Sequence, residues 1–345
     1  MSLEIYKADL TNRYEIPHAE SIQTQVLYNG IGKCQIVVAA NDYFVNAIDK
    51  NGLLYDTDKN VTYTIQDVWK DTTKNQIIAN GYTANWLLNK RTISIKQLIS
   101  NVEIGVYSAV NGNLRNLPRV STAAIKGLTA TTEDTLYGGQ LLDRIIPVLD
   151  KAEYGHRMVW SDDTKAHTFE IYQGQDLTPD AAGIHAIVFS EGQGTATDLV
   201  FEDDDSVFKN YFYVLCKKLD GTEEVVEYGD SAALDRRECW LSGTITQSQD
   251  EPIEELRKRA QQKCREEATK RLKRQRFNVR IDPSELGIRF NIGDKVACAS
   301  ERLGVEFEAR ITGVTYKMDV TGEKTEINLG EPRLTALGEE LLKLG

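Results

Sequence analysis

The last third of the chain carries the pattern that most restricts the fold. A strongly charged segment, residues 251–276, precedes the tight sequence Ile292-Gly293-Asp294-Lys295-Val296 and then two long stretches of alternating apolar and polar residues. Alternation with a period of two is typical of strands with one buried face and one wet face. This order predicts a long helix that leads into a small antiparallel β-barrel.

The charged segment has the features of a well-formed helix. Pro252 suits the first helical turn, where its missing N–H costs nothing. Acidic residues near the start and basic residues near the end match the helix macrodipole. The acidic residues are Glu251, Glu254 and Glu255, and the basic residues are Arg271, Lys273, Arg274 and Arg276. Its apolar stripe is narrow and consists of Ile253, Leu256, Ala260, Cys264, Ala268 and Leu272. Such a stripe predicts a helix that rests on a single surface.

The alternating stretches that follow change register at Gly313. The side chains from Val305 to Ile311 share one face, and those from Val314 to Val320 share that face only if one residue is inserted. A glycine at the point of the shift predicts a β-bulge.

The first 100 residues are typical of β-structure. Asn29-Gly30 lies between the apolar runs 26–28 and 36–38, and this dipeptide is favoured in tight hairpins. Residues 61–65 alternate with period two and are predicted to pair with residues 76–79. A short helix is predicted over residues 83–91.

The middle of the chain mixes helical and strand patterns. Residues 101–134 contain turn sequences and are predicted to form a long connection with short strands. Residues 136–152 carry a helical apolar stripe that Pro147 is expected to kink or interrupt. Hairpins are predicted for residues 157–172, and for the strand that begins at Tyr211.

The predicted fold class is α+β and β-rich. It comprises two β-barrel-like domains, an α+β insertion, and one long charged helix before the C-terminal barrel. The predicted parts are an N-terminal barrel-like domain (1–100), an α+β insertion (101–190), a β-rich segment pairing with the barrels (191–250), the charged helix (251–276), a small C-terminal barrel (277–332) and a Leu-rich tail that is a frayed or docked helix (333–345).

Composition excludes several classes of partner. The 345 residues carry a net charge of -11, which disfavours specific binding of nucleic acid. No apolar stretch approaches 18 residues, so no membrane partner is expected. The N-terminus lacks a basic region followed by an apolar run, so no signal peptide is expected. The five cysteines are widely spaced, which predicts free, buried or half-buried thiols in a reducing compartment.

No group of residues has the spacing of a catalytic, cofactor or metal site. Consecutive acids at 202–205 would point to opposite faces of a strand, so a solvated turn is favoured over a metal site. The histidines at positions 18, 156, 167 and 185 are scattered. Gly192-Gln193-Gly194 lacks the third glycine and the following helix of a nucleotide-binding loop. The prediction is therefore no catalytic, cofactor-binding or metal-binding residues, with the interface residues unknown.

Two basic segments leave an alternative open. Arg257-Lys258-Arg259 and residues 270–276 could follow a phosphate backbone. Five acids share this part of the chain, and no aromatic residue is interleaved before Phe277. A solvated, partner-facing or channel-lining helix face is the favoured interpretation.

A series of short motifs resembles the tail-hub, or tail-associated, proteins of phages with long non-contractile tails. The motifs are Phe189-Ser190, Ser206-Val207-Phe208-Lys209-Asn210-Tyr211, Arg236-Arg237-Glu238, Gly293-Asp294-Lys295-Val296 and Arg310-Ile311-Thr312-Gly313-Val314. Their order carries the resemblance, which extends over residues 1–332. The chain departs from the family pattern at residues 196–199 and 215–218.

The resemblance implies a structural role without covalent chemistry or cofactors. Such proteins are similar to the central baseplate hub of contractile tails and form a homotrimeric ring at the distal end of the tail. The implied partners are the distal tail or tail-tube proteins on one side and a tip or fibre protein on the other, with DNA passing through an axial channel. The implied location is the virion tail, after assembly in the bacterial cytoplasm.

Two other functions stay open at this point. A tail-tip hydrolase of cell-wall material would need two convergent carboxylates, a metal or a triad in a cleft. A carbohydrate-binding adhesin module is favoured by the 15 tyrosines and four tryptophans.

Overall fold

The computed structural model describes residues 2–269, 271, 274–280 and 285–334. The predicted tail helix lies in large part outside the described residues. The chain divides into two compact units, with unit 1 formed from Met1–Val200 and Phe277–Gly345 and unit 2 from Phe201–Arg276. The two boundaries fall within strands β14 (Asp198–Asp204) and β18 (Arg274–Arg280).

Unit 1 contains most of the strands. They are β1 (Leu3–Tyr6), β2 (Arg13–Glu15), β3 (Ser21–Leu27), β4 (Lys33–Ala39), β5 (Leu53–Asp56), β6 (Val61–Asp71), β7 (Gln76–Thr83), β8 (Gln97–Asn101), β9 (Val120–Thr122), β10 (Thr131–Leu136), β11 (Gly155–Ser161), β12 (Ala166–Tyr172), β13 (Val188–Ser190), β19 (Lys295–Ser300), β20 (Val305–Asp319) and β21 (Gly322–Leu334).

One large sheet joins the two ends of the chain. Its strands follow the order β21-β20-β3-β4-β7-β6-β5-β1-β2, and β19 links β20 to β13. Strand β20 pairs antiparallel with β3, so that Gly313 lies opposite Leu27 and Met318 lies opposite Ile22. Residues 277–332 therefore share a sheet with the N-terminal strands and are not a separate barrel unit. The alternation of apolar and polar residues predicts a strand here, but it does not predict which strand pairs with β20. The β-rich class is confirmed.

The predicted bulge is confirmed, because the register of β20 against β21 shifts between Ile311 and Gly313. The β6–β7 hairpin is confirmed, but the predicted pairing is wrong: residues 76–79 lie opposite 68–71, and residues 63–65 lie opposite 81–83. Strand β3 pairs with β4, but the pairing ends at Thr24 opposite Cys34, so the predicted tight turn at Asn29-Gly30 is wrong. Val320 also differs from its prediction, because β20 ends at Asp319 and the 95% exposed Val320 lies in the turn that follows.

The apolar faces of these strands form one core of unit 1. It includes Ile22, Ile36, Val38, Tyr63 and Ile65. Residues 62–65 are all buried, so the wet face predicted for residues 61–65 is wrong. Helix α1 (Asp42–Ala47) adds Phe44, and the side chain of Asn41 caps its start by accepting a hydrogen bond from the Phe44 N–H.

A second core of unit 1 gathers residues 84–171 around helices and small sheets. Its elements are a 3₁₀ helix (Ala84–Lys90), α2 (Val102–Asn113), α3 (Leu141–Lys151), the pair β8–β10, and a three-stranded sheet in the order β11-β12-β9. The predicted short helix and the β11–β12 hairpin are confirmed. Further along the chain, α4 (Pro179–Ala182) and a 3₁₀ turn (Gly183–His185) precede β13.

The long connection predicted for residues 101–134 is wrong, because α2 occupies its first part. Asn101 caps this helix, with its Oδ1 accepting from the Ile104 N–H at 2.9 Å. The buried Glu103 carboxylate accepts hydrogen bonds from the N–H groups of residues 126–128. Tertiary contacts of this kind override the weak helix propensity of a segment rich in glycine and β-branched residues.

Helix α3 also differs from its prediction. It runs as one helix through Pro147 from Leu141 to Lys151, while Leu136 belongs to β10. The predicted interruption at Pro147 is therefore wrong. The buried stripe, which includes Leu142, Ile145 and Leu149, outweighs the one hydrogen bond that proline removes.

Unit 2 is a three-stranded sheet covered by one helix. Its strands are β15 (Tyr211–Lys217), β16 (Glu223–Gly229) and β17 (Glu238–Thr246), in the order β16-β15-β17. These three strands pair with one another and not with the barrels, which differs from the prediction for residues 191–250. The helix α5 (Ile253–Thr269) packs Leu256, Ala260 and Cys264 against one face. It rests on one surface as predicted.

The predicted end of this helix at residue 276 is wrong. Residues 274–276 begin strand β18. Basic residues suit the C-terminus of a helix, but they do not exclude a strand. The five cysteines are free, and all but the half-buried Cys239 are buried, as their spacing predicted. Burial raises the pKa of the Cys34 thiol to about 12.

Candidate interaction surface

The four histidines do not come together. His18 and His185 are exposed at separate places in the chain, and His156 and His167 are buried on the inner face of the β11–β12 hairpin. His167 Nε2 lies 2.7 Å from the Thr62 hydroxyl, and His156 Nδ1 lies 3.3 Å from Asn85 Nδ2. Burial lowers the pKa of both imidazoles to about 4, so both are neutral core residues near pH 7.

The acidic run at residues 202–205 does not form the predicted turn, because residues 202–204 belong to strand β14. Asp204 Oδ1 accepts from the Ser206 N–H at 2.9 Å, and Asp205 pairs with Arg237 at 2.6 Å. Among the described residues, no three His, Cys, Asp or Glu side chains cluster closely enough to hold a metal ion.

The glycine loop forms a short turn after β13. The Gly194 N–H donates to the Glu191 carbonyl at 3.1 Å, and the Ser190 N–H donates to the Thr195 hydroxyl at 2.8 Å. The chain continues into β14 and opens no helix, so the backbone lacks the arrangement that cradles a phosphate.

A cavity of about 860 Å³ lies in unit 1, and two of the carboxylates that line it, Asp58 and Asp294, are bonded to the backbone. Asp294 accepts from the N–H groups of Gln175 and Asn291, each at 2.7 Å. Asp58 accepts from the Ser2 N–H at 2.8 Å. Carboxylates held in this way stabilise loops, and their arrangement does not favour the hydrolase alternative.

The basic residues 257–259 of α5 are balanced by acids. Arg257 contacts Glu224 and Glu254, each at 2.8 Å, and Lys258 and Arg259 contact Glu255 and Glu251, each at 2.7 Å. The hydrogen bonds from Arg257 and Lys218 lower the pKa of Glu224 to about 2. This face is mixed in charge, which favours the solvated or partner-facing interpretation over a phosphate track. Lys270, Leu272 and Lys273 lie outside the described residues.

The side of the unit 2 sheet that faces away from α5 carries three aromatic rings, which we call the aromatic face: Tyr211, Tyr213 and Trp240. Tyr213 lies directly opposite Trp240 in the parallel β15–β17 pair. Their ring centroids are 6.0 Å apart with an interplanar angle of 22°, and the Tyr211 and Tyr213 centroids are 5.3 Å apart. Trp240 is 58% exposed, which is unusual for the largest apolar side chain.

Charged groups hold the tyrosines of the aromatic face. The Arg236 guanidinium lies 3.7 Å from the Tyr211 ring centroid and donates to the Tyr213 hydroxyl. The Tyr213 hydroxyl donates to Glu238 Oε1 at 3.0 Å, and the Tyr211 hydroxyl donates to Glu227 Oε2 at 2.6 Å. The hydrogen bond to Glu227, followed by partial burial, raises the pKa of Tyr211.

Sequence reasoning did not find this surface. The spacing Tyr211-x-Tyr213 places both rings on one face of a strand, and that signal was available. Trp240 joins them through a parallel pairing with a strand 27 residues away, which no local pattern specifies.

A second apolar surface lies in unit 1, on the outer side of the β8–β10 pair, and we call it the β8–β10 face. Leu98 lies opposite Thr135, and Tyr137 follows two residues later along the chain. Leu98 and Tyr137 are 73% and 63% exposed. Exposed apolar groups on a two-stranded sheet are typical of contact surfaces.

The sequence and the fold can now be compared with known proteins. A family model described as Siphovirus ReqiPepy6 Gp37-like protein matches residues 2–331. The chain belongs to this family. The match confirms the resemblance to siphovirus tail proteins inferred from the motifs. No curated protein matches the chain.

Solved structures of phage tail proteins share the fold of this Gp37-like chain. The tail protein from Neisseria meningitidis MC58 aligns with a TM-score of 0.57 and 11% identity, covering 96% of each chain. The prophage MuSo2 43 kDa tail protein from Shewanella oneidensis gives 0.56 and 12%, covering 95% of this chain and 97% of that one. Prophage tail protein gp18 from Listeria monocytogenes EGD-e gives 0.53 and 13%, covering 100% and 98%.

Proposed function

We propose that this chain is a structural phage or prophage tail protein that forms a ring-shaped hub at the distal end of the tail. The observation that carries the proposal is the family match over residues 2–331, together with a fold shared along nearly the whole chain with three tail proteins. In this role the chain joins the tail tube to the tip or fibre. It works through contacts with its own copies and with neighbouring tail proteins, and needs no covalent chemistry or cofactor.

The proposed ring is a homotrimer, located in the virion tail and assembled in the bacterial cytoplasm. A ring closes through head-to-tail contacts, in which two different surfaces of each subunit meet. The β8–β10 face supports such a contact, because Leu98 and Tyr137 leave apolar area in water that association would bury. We also propose that the large sheet of unit 1 closes into the barrel that a hub requires.

The mass of the purified chain in solution tests the ring. We expect light scattering coupled to size-exclusion chromatography to give three chain masses, and negative-stain images to show a ring. Leu98→Asp should weaken association by about tenfold or more, because it places a charge in an apolar contact. Val320→Asp is the matched control, since Val320 is 95% exposed in a turn.

A monomer mass for the wild-type chain at the highest attainable concentration would overturn the ring proposal. Equal masses for the wild type and Leu98→Asp at every dilution would exclude the β8–β10 face as the subunit contact. Circular dichroism of both variants separates loss of association from loss of folding.

A further inference from the structure

The aromatic face of unit 2 has the chemistry of a sugar site. We propose that it binds an oligosaccharide of equatorially substituted, β-1,4-linked pyranoses, with Trp240 as the stacking platform and Glu238 and Arg236 as hydrogen-bonding groups. This inference goes beyond the structural role proposed above and does not depend on it.

Trp240 offers an aromatic surface that the sheet does not use for its own core. The core of unit 2 lies on the opposite face, where Phe212, Val214 and Leu256 are buried against one another. Trp240 is 58% exposed and contacts only one aromatic neighbour, Tyr213, among the described residues. The free part of its ring matches the flat C–H face of a pyranose, which carries slight positive charge toward the negative face of the indole.

The platform is held in place before any ligand arrives. Tyr213 backs Trp240 at an interplanar angle of 22°, and the Tyr213 hydroxyl is fixed by Glu238 and Arg236. Arg236 also pairs with Glu238 at 2.8 Å. A ring fixed by its neighbours loses little conformational entropy on binding. This small loss favours the binding of a flexible ligand that makes only weak contacts.

Two charged side chains that can hydrogen-bond sugar hydroxyls lie beside the rings. Glu238 lies two residues before Trp240 on the same face of β17, and its side chain is 51% exposed. The Arg236 side chain is 32% exposed. Tyr213 and Arg236 both bond Glu238 Oε1, which leaves the Oε2 atom of this exposed carboxylate to accept from a sugar hydroxyl.

Two features favour a sugar over a protein partner. Tyr, Trp and Arg are common in protein interfaces, but glutamate is depleted from their centres, and here Glu227 and Glu238 flank the rings directly. The β15–β17 register shifts between Tyr213 and Leu215, and Gly243 near the shift has φ +89°. Such a bulge on the outer strand of the sheet disrupts the ladder that a partner strand would extend.

Binding of defined tetrasaccharides to the full chain tests the proposal. The probes are the β-1,4-linked tetramers of N-acetylglucosamine and of glucose, with the α-1,4-linked glucose tetramer for comparison, followed by calorimetry and tryptophan emission. We expect at least one β-linked probe to bind more tightly than the α-linked one. Trp240→Ala should weaken that binding by about tenfold or more.

Matched variants make the test specific. Trp69→Ala removes another exposed tryptophan, in unit 1, and should leave the affinity within about twofold. Trp240→Phe keeps an aromatic face and should retain part of the affinity. No binding of either β-linked probe by the wild type would overturn the proposal, as would equal loss in Trp69→Ala and Trp240→Ala. A change of oligomeric mass in Trp240→Ala would instead identify the aromatic face as a protein contact and overturn the sugar site.

Discussion

Unit 1 and unit 2 each contain a three-stranded sheet with the same pairing pattern, but the parallel strand precedes the hairpin along the chain in unit 1 and follows it in unit 2. In β11-β12-β9 and in β16-β15-β17, one antiparallel pair is joined by a third strand that runs parallel to the shared central strand. Each sheet also buries one face in a core. The two sheets differ in what their outer faces carry.

The outer face of the first sheet is a charge ladder. Arg157 lies opposite Glu170 with a contact of 2.5 Å, Lys126 reaches the same carboxylate at 2.6 Å, and Arg157 covers the Tyr172 ring. The outer face of the second sheet is aromatic: Tyr213 lies opposite Trp240 in the parallel pair and opposite Glu227 in the antiparallel pair that corresponds to β11–β12. Charges are stable in water without a partner, whereas covering an exposed indole lowers the free energy. This difference supports the binding role proposed for the second sheet.

The inner faces are alike in packing, so truncating either should have the largest effect. Phe169 and Phe212 are almost fully buried in their respective sheets. Phe169→Ala and Phe212→Ala should each lower the free energy of unfolding by about 3–5 kcal/mol, because each leaves a cavity in a close-packed core. Chemical denaturation measures the loss, and hydrogen exchange shows in which unit protection falls.

Thr168→Ala, on the outer face of β12, is a control that should change stability by less than about 0.5 kcal/mol. If Phe212→Ala cost no more than this control, the inner face of the second sheet would not be a close-packed core. The comparison between the two sheets would then lose its basis.

Acid should distinguish the two inner faces, because only the first carries histidines. Burial holds the pKa of His156 and of His167 at about 4, below the ordinary histidine value of 6.5. The unfolded chain therefore binds more protons between these values, and the stability that neutral histidines contribute is lost as pH falls from about 6.5 to about 4. At pH 5 the loss relative to pH 7 is about 2 kcal/mol for each histidine.

Denaturation at pH 7 and pH 5 measures this loss. His167→Gln keeps an amide for the hydrogen bond to Thr62 and removes the titration, so its loss should be about 2 kcal/mol smaller. His185→Gln, at an exposed position, should behave as the wild type. An unchanged pH dependence in His167→Gln would show that this imidazole is not desolvated.

Much of the fold could be predicted because its signals are local. Hairpins such as β6–β7, the bulge at Gly313 and the stripe of α5 depend on residues close together in the chain. The pairing of β20 with β3 joins residues nearly 300 positions apart, and the residue pattern of neither strand identifies its partner. Helix α2 was missed because its stabilising contacts, such as those of Glu103, come from a distant loop.

The candidate surface shows the same limit. Alternation predicts that Tyr211 and Tyr213 share a face, but not which face the helix α5 covers. The position of Trp240 depends on the choice of a parallel partner for β15, and that choice is decided by the packing of the whole unit. A count of aromatic residues therefore left carbohydrate binding open as an alternative but could not locate the surface proposed for it.

The smallest expected effect concerns the cross-strand pairs on the two outer faces. Double-mutant cycles to alanine should give a coupling of about 0.5–1.5 kcal/mol for Tyr213 with Trp240 and about 0.2–1 kcal/mol for Arg157 with Glu170. At high salt the second coupling should shrink because exposed charges are screened, while the first should persist. Denaturation midpoints of the single and double variants give both values.

Tyr213→Phe decides which part of the tyrosine carries the coupling to Trp240. It keeps the ring that stacks at 22° and removes the hydroxyl that bonds Glu238. If stacking holds the tryptophan, the coupling measured in the Tyr213→Phe variant should equal that measured in the wild type. If the coupling disappears with the hydroxyl, or falls with salt as the Arg157–Glu170 coupling does, then charged groups position Trp240, and the two outer faces differ less than their residues indicate.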